Sequence, residues 1–324
     1  MVHIVMPVYN RELTVRKSVE SIISQTFQNW SLIIVDDNST DNSSIVIQEL
    51  IDSDSRITSK INTEYSHSCA GARLSGLEGA NAEYFAFLDS DDEWPEYHLE
   101  EFVNYLENNS NVDCVFGDLQ RIDVNGKVLV NSKFLDEAGL PKRLEIEWQA
   151  DVGVFTGKHN LAVALEERFN TGMHTAMYKG DFFDDVPLRD VYGCEDALLT
   201  MEALSKNKNY SVINKAHLKY LIHENNISSV GGDLSFEHAE KNSLSEIQFY
   251  STYIPKYVKL SPNENKSRVT KLANICVWEL GNSVYRKHGF KRKALSAIFK
   301  GITLSPLSFK FYTNFISTLF VVRF

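Results

Sequence analysis

The sequence predicts an α/β fold: a mixed, mainly parallel sheet with helices on both faces, followed by a helical C-terminal region. Three observations predict it. Through roughly the first 120 residues, short apolar runs alternate with helically spaced ones. The short runs are apolar almost without interruption, as in strands covered on both sides. From Phe236 onward the strand pattern gives way to helical texture.

The elements follow in order. Val2–Val8 is rich in β-branched residues and ends at Tyr9-Asn10. Thr14–Gln25 carries Val15, Val19, Ile22 and Ile23 at helical spacing. Ser31–Val35 is a second buried-type strand, stopped by Asp36-Asp37-Asn38, and Asp41 is expected to cap a helix running through Ile51. A strand over Arg56–Ile61, a small-residue helix over Ala70–Ala80 and a strand over Tyr84–Leu88 come next, the last ending in Asp89-Ser90-Asp91-Asp92. Beyond Asp113 the texture changes. Cys114–Gly117 reads as a strand, and Gln120–Val130 as a hairpin turning at Asn125-Gly126. Asn131–Phe169 is irregular, expected as loop with some helix; Glu195–Ser205 opens a helix and Ala216–Ile222 resembles a late strand. In the helical region Pro255, Pro262, Gly289 and Pro306 are expected as breaks.

The chain's 324 residues allow one large α/β domain with an appendage, or two modest domains, and 43% hydrophobic with 23% charged residues is ordinary globular composition. The net charge of −10 is unevenly spread. Tyr253–Phe324 holds 13 Lys/Arg against Glu264 and Glu279, a net of +11, which leaves −21 on the remainder. So acidic a body argues against nucleic-acid binding. Cys69, Cys114, Cys194 and Cys276 are scattered with no C-x-x-C pair, which indicates neither a zinc site nor a disulfide framework and fits a reduced, cytoplasmic setting. Met1-Val2-His3-Ile4 enters a strand with no basic leader, so no signal peptide is expected; nor is a spanning helix, for want of a long uninterrupted apolar stretch.

In parallel sheets, ligands bind at the carboxyl ends of the strands. Here those ends carry Tyr9-Asn10, Asp36-Asp37 and Asp89-Ser90-Asp91. Two carboxylates flanking one residue suit a hard divalent cation, Mn²⁺ or Mg²⁺, which keeps sites for diphosphate oxygens. The same cluster also reads as an acidic surface loop, with Asp92-Glu93 before Trp94-Pro95 capping a helix.

The order Val5-Met6-Pro7-Val8-Tyr9-Asn10, Ser24-Gln25-Thr26-Phe27, Ile34-Val35-Asp36-Asp37-Asn38-Ser39-Thr40-Asp41, Ala72-Arg73 and Asp89-Ser90-Asp91 resembles the family-2 glycosyltransferases of the GT-A, Rossmann-like fold. The resemblance covers residues 4–92. It implies a domain over 1–230, with a nucleotide-binding half (1–112) and an acceptor-binding half (113–230), before a basic helical region over 231–324. It also implies roles for individual residues. Tyr9 lies against the base, Pro7 shapes that wall, and Asp37 accepts the base imino N–H, which suits uracil. Arg73 sits near the ribose and diphosphate, Ser90 lines the donor site, Asp89 contacts the ribose or a metal-bound water, and Asp91 binds the cation. This chain has His67-Ser68-Cys69-Ala70-Gly71 and Leu74 where the family shows a preceding glycine and a following asparagine.

Downstream, Tyr192-Gly193-Cys194-Glu195-Asp196 looks like the family's E-D element. There Asp196 is the catalytic base and Glu195 positions it or touches the acceptor; the residues also read as a helix-capping pair. His174 falls on the expected acceptor-side loop, a structural histidine being the other reading. His223, in Ile222-His223-Glu224, resembles a late element that reaches the diphosphate or metal, with Leu221 standing where the arginine is expected.

The reaction implied is a single displacement that inverts the anomeric carbon. Its donor is a nucleotide-sugar, most commonly a UDP-sugar. Its acceptor is a glycan or polyprenyl-diphosphate-linked saccharide, as in O-antigen or capsule assembly. The dense Arg286-Lys287-His288-Gly289-Phe290-Lys291-Arg292-Lys293 cluster and the apolar end after it suit peripheral contact with the anionic inner face of the cell membrane, or a helical cap packed on the body. Two other classes stay open: a non-catalytic nucleotide-sugar-binding or scaffold protein, and a nucleotidyltransferase. The latter is expected to carry a glycine-rich phosphate loop where Tyr9-Asn10-Arg11-Glu12 stand.

Overall fold

The computed structural model describes residues 1–131, 140–222 and 235–320. The chain forms two compact units, Met1–Asn160 with Phe169–Asn226, and Leu161–Arg168 with Ile227–Phe324.

In the first unit the strands are β1 (Val2–Val8), β2 (Trp30–Asp36), β3 (Ile57–Ile61), β4 (Tyr84–Phe87), β5 (Cys114–Ile122), β6 (Val128–Val130), β7 (Glu147–Gln149), β8 (Val152–Thr156), β9 (Ala176–Lys179) and β10 (Asn209–Leu221). They form one sheet in the order β3-β2-β1-β4-β9-β5-β10-β8-β7, with β6 as a hairpin on β5. β1 to β4 pair in parallel, β9 runs antiparallel between β4 and β5, and β10 is parallel to β5. The helices of this unit are α1 (Val15–Ile23), α2 (Ser43–Ser53), α3 (Cys69–Leu77), α4 (His98–Asn108), the start of α5 (Gly157–Glu167), the short α6 (Phe182–Asp185) and α7 (Glu195–Ser205).

The period of two in β1 assigns the faces. Val2, Ile4, Met6 and Val8 share a core with Val15, Val19 and Ile22 of α1, Ile47 and Leu50 of α2, and Leu99, Phe102 and Leu106 of α4. The opposite face takes α3, because a Cβ on Gly76 would collide with the side chains of Val5 and Val35. Only a residue without a side chain lets α3 approach so closely. Pro7 sits inside β1 at no cost to the ladder. Leu88 N–H donates to the Val5 carbonyl in the last bond to β4, and Pro7, two residues on, faces the same side beyond that pairing.

Several expectations need correcting. Asn131–Phe169 holds β7, β8 and all of α5; the late strand begins at Asn209, not Ala216; and Ala176–Lys179 is a strand. Asp92 and Glu93 cap no helix, since α4 begins at His98 with Tyr97 as its N-cap. Asn42, not Asp41, is the N-cap of α2, although Asp41 still accepts from the Ser43 N–H at 2.9 Å.

The second unit is helical. The last part of α5 belongs to it, with the Tyr250 hydroxyl donating to the Leu165 carbonyl at 2.8 Å. α8 (Phe236–Gln248) passes through a π-wound turn, Phe249–Tyr253, straight into α9 (Ile254–Tyr257). Pro255 is therefore no break: it occupies the first turn of α9, where the missing N–H is tolerated. α10 (Pro262–Asn274) starts at a Ser261–Glu264 capping box and continues through the π-wound Ile275–Arg286. Gly289, at φ +81°, turns the chain into α11 (Lys291–Leu304), and α12 (Phe309–Phe320) follows Pro306. Ala273, Val277, Ile298, Ile302 and Phe311 form its core. Among the described residues no helix is long and apolar enough to cross a membrane.

Candidate functional site

The loops after β1 and β2 are laced together by the motif residues between the candidate ligand contacts. Asn10, held at φ +52°, accepts from Thr40 N–H at 2.8 Å and donates its own N–H to Ser39 Oγ at 3.0 Å. Arg11 N–H donates to Ser43 Oγ, Glu12 N–H to Asp41 Oδ2, and Asn42 returns two bonds to Glu12 Oε2. Asp36 accepts from Ser39 N–H. With the loops pinned, Tyr9 projects half-exposed from the end of β1 and Asp37 sits at the end of β2, its N–H bonded to the Val8 carbonyl.

Asp37 Oδ1 accepts from Asn62 Nδ2 at 2.7 Å, and His67 Nδ1 stands 3.5 Å away. Burial raises the Asp37 pKa, and the bonds from Asn62 and His67 oppose that rise. Asn62 also donates to the Ser66 carbonyl, and Ser66 bonds to Asp190 through its N–H and its hydroxyl. A chain of polar contacts thus links the end of β2 to the loop before α7. No sequence motif announced Asn62 or Asp190.

The centre of the site is Arg73, buried on α3. Its Nη2 donates to Asp89 Oδ1 at 2.5 Å and its Nη1 to Glu195 Oε1 at 2.7 Å. Residues 16 and 122 positions away are held by one guanidinium. Burial pushes Asp89 up, but Arg73 and then His174 overcome this and hold it well below the usual carboxylate range. Burial carries Glu195 the other way, up to about 7, with Asp196 adding to the rise and Arg73 opposing it. Asp196 follows at the first turn of α7, half-buried, accepting from the Ala197 N–H.

His174 stands on a one-turn 3₁₀ segment, Met173–Thr175, and its Nδ1 lies 3.4 Å from Asp89 Oδ2. The Trp94 indole N–H fixes that turn by donating to the His174 carbonyl at 2.9 Å. Asp89, Asp92 and His174 each offer a ligand atom, all within 4.8 Å of one another. Asp92 is buried, Oδ1 accepts from the Leu221 N–H, and Oδ2 has no hydrogen-bond partner. Burial first, then the Asp91 and Asp89 charges, raise its pKa well above the carboxylate range. An orphaned buried carboxylate oxygen beside a carboxylate and an imidazole fits a divalent cation. Asp91 does not join that trio; its Oδ2 lies 3.2 Å from Arg11 Nε and Nη2.

Of the residues singled out from sequence, Arg73, Asp89, His174 and Glu195 meet directly, with Asp196 beside Glu195. Tyr9 and Asp37 occupy neighbouring strand ends, Pro7 and Ser90 are buried, and Asp91 faces Arg11. His223 lies outside the described residues. Asp92 and Arg11 escaped sequence reasoning although both adjoin motif residues; a carboxylate next to an acidic triplet reads as surface until its burial is known.

The family described as Glycosyl transferase family 2 matches residues 3–165, half of the chain. A relative, the UDP-Glc:alpha-D-GlcNAc-diphosphoundecaprenol beta-1,3-glucosyltransferase WfgD of Escherichia coli, is 40% identical over 128 residues, 40% of this chain and 49% of that one. The poly(ribitol-phosphate) beta-N-acetylglucosaminyltransferase TarP of Staphylococcus aureus is 28% identical over 261 residues, 78% of this chain and 69% of that one. Among solved structures, S. aureus TarS 1–349 in complex with UDP-GlcNAc superposes with a TM-score of 0.63 at 17% identity, covering 98% of this chain and 88% of that one, which speaks to the fold. The matches span about half the length of the first curated relatives.

Proposed function

Because this chain belongs to glycosyl transferase family 2, we propose that it transfers a sugar from a nucleoside-diphosphate donor to an acceptor hydroxyl, with inversion. The observation that carries this is the Arg73 bridge, which ties Asp89 at the end of β4 to Glu195 at the start of α7. The bridge supports reading the start of α7, and with it Asp196, as lying next to the end of β4, where the donor would bind. Asp196 accepts the acceptor's proton as its oxygen attacks the anomeric carbon. Tyr9 and Asp37 hold the base, Asp37 accepting an imino N–H, which favours uracil. UDP-Glc in the name of WfgD and UDP-GlcNAc in the TarS complex support a UDP-sugar.

Asp89, Asp92 and His174 would hold a divalent cation, with Asp91 nearby. When bound, that ion supplies positive charge to the diphosphate as it departs. An imidazole donor tilts the choice toward Mn²⁺ over Mg²⁺, which prefers oxygen alone. The acceptor is a glycan or polyprenyl-diphosphate-linked saccharide in surface-polysaccharide assembly, a reading supported by the undecaprenol-linked substrate in the name of WfgD. Such an acceptor would be met on the cytoplasmic side of the membrane.

A donor screen with Mn²⁺ or Mg²⁺ tests the reading by scoring nucleoside-diphosphate release with and without polyprenyl-diphosphate-linked acceptors. Acceptor-stimulated release from one UDP-sugar, lost in Asp92→Asn and reduced by about 10²–10⁴ in Asp196→Asn, supports it. Metal-dependent UDP binding with no turnover of any donor would leave a nucleotide-binding protein instead.

A further inference from the structure

Helix α12 is apolar on two faces, and its own unit covers one. Phe311, Asn314 and Thr318 are buried, and Phe315 packs half-buried against that unit's core. On the other side Phe309, Tyr312, Ile316, Leu319 and Phe320 are exposed, Phe309 by 82% and Phe320 by 72%. At about 100° per residue these five fall within one stripe of roughly a third of the circumference. Leu307, 87% exposed on the turn before the helix, lies at one end. From α11 the exposed Phe299 comes within 6.4 Å of the Phe315 ring and widens the stripe on its flank.

Exposed apolar side chains scattered singly need no explanation, whereas a contiguous stripe of aromatics does. The charge carried by this part of the sequence selects the occupant. In the sequence no acidic residue follows Glu279, while Lys287, Lys291, Arg292, Lys300 and Lys310 all do. A second copy would bring the same positive field against itself, which disfavours self-association. An anionic bilayer meets both features at once. The described part of α12 covers 12 residues, at about 1.5 Å each well short of a bilayer's thickness, and its exposed stripe suits a helix lying in the interface.

We propose that the outward face of α12, with Leu307 and Phe299, seats at the boundary between headgroups and acyl chains of an anionic membrane, the basic residues engaging the headgroups. This goes beyond the transferase reading and is tested without donor or acceptor, so either can fail alone.

The test is flotation of the full chain with phosphatidylglycerol/phosphatidylethanolamine vesicles against phosphatidylcholine vesicles. Ile316→Glu/Phe320→Glu and Phe309→Ser/Ile316→Ser would run alongside. Wild type partitions to the anionic vesicles, and each double variant lowers that partition at least tenfold with its thermal unfolding unchanged. Raising the salt weakens binding, because the headgroup attraction is screened. No flotation of wild type with anionic vesicles, or equal flotation of wild type and correctly folded variants, overturns the proposal. So does a wild-type dimer that the variants split while no vesicle is bound, since the face would then belong to a second copy.

Discussion

Replacing Arg73 by Met should destabilise the first unit by about 3–5 kcal/mol at pH 8, because it strands two carboxylates around a buried apolar side chain. Arg73 is 4% exposed and bonds both Asp89 and Glu195, so water cannot take over its role. The penalty should shrink in acid. Glu195 already titrates near 7 in the fold against an ordinary 4.5, and Arg73 is what restrains it, so in the variant its pKa rises further. A carboxyl whose folded pKa is raised contributes stability below its unfolded value and loses it as pH climbs through the folded one. Between pH 8 and 5.5 the variant therefore regains more than wild type does. Each further tenfold gain in proton affinity is worth about 1.4 kcal/mol, so the gap should narrow by at least about 1 kcal/mol. Asp89, freed from Arg73, adds in the same direction because burial alone pushes it up. Urea unfolding followed by tryptophan fluorescence reads this unit well, since Trp30, Trp94 and Trp148 lie in it and only Trp278 does not. A cost below about 1 kcal/mol at pH 8, or a gap that widens in acid, would refute the buried-bridge reasoning.

Tyr9→Ala should weaken UDP binding by about 1–3 kcal/mol, the usual worth of a base–aromatic stack, with no change in the unfolding midpoint because the ring is 53% exposed; calorimetry reads both. Gly71→Ala should cost about 1–3 kcal/mol and weaken UDP binding too, because its new methyl would run into the Ser66 carbonyl oxygen, the acceptor of the Asn62 side chain that holds Asp37. Unchanged binding in that variant would show that the Asn62 bridge is dispensable. Acid should unfold the first unit early through His98 and His217, whose ring nitrogens are buried without hydrogen-bond partners. Burial lowers both, His217 to about 3, so the fold takes up fewer protons than the unfolded chain and stability falls as pH drops from 6.5. The loss approaches about 5 kcal/mol for His217 alone by pH 3, and a flatter urea-midpoint profile between pH 6.5 and 4 is expected for His217→Leu.

What the sequence disclosed tracks local chemistry. β1, β2 and β4 are apolar runs ended by acidic or amide residues, so their periods and stops are written within a few residues of each other. β9 was not legible: Ala176–Lys179 is four residues long, and only its antiparallel place between β4 and β5 makes it a strand. The start of β10 was hidden for a related reason, since the polar Asn209 and Ser211 break the apolar run and are paired by β5 and β8. The site divides the same way. Asp89, Arg73 and Glu195 stood out by motif, but no pattern relates α3 to α7 across 122 positions, and the guanidinium that joins them is visible only in three dimensions. Asp92 was read as a helix cap because its meaning lies in burial, which sequence does not report.

The charge balance explains why these particular side chains belong together. Asp89, Asp91, Asp92, Glu195 and Asp196 crowd the ends of β4 and α7, and the guanidinium groups facing them come from Arg73 and Arg11. Arg73 serves Asp89 and Glu195; Arg11 serves Asp91. Asp92 meets a backbone N–H on one oxygen and no hydrogen-bond donor on the other, while Asp91 and Asp89 repel its charge. A buried carboxylate so placed has two ways to settle: it keeps a proton, or a cation arrives. The first state leaves the His174 imidazole beside Asp89. In the second, Asp89, Asp92 and His174 would hold the cation together, Asp92 would give up its proton, and the ion's charge would offset the repulsion within the cluster. Cation binding by this site should therefore release protons and strengthen as pH rises. On the transferase reading, an anionic diphosphate would meet less repulsion in that second state, so donor binding and cation binding are expected to favour each other.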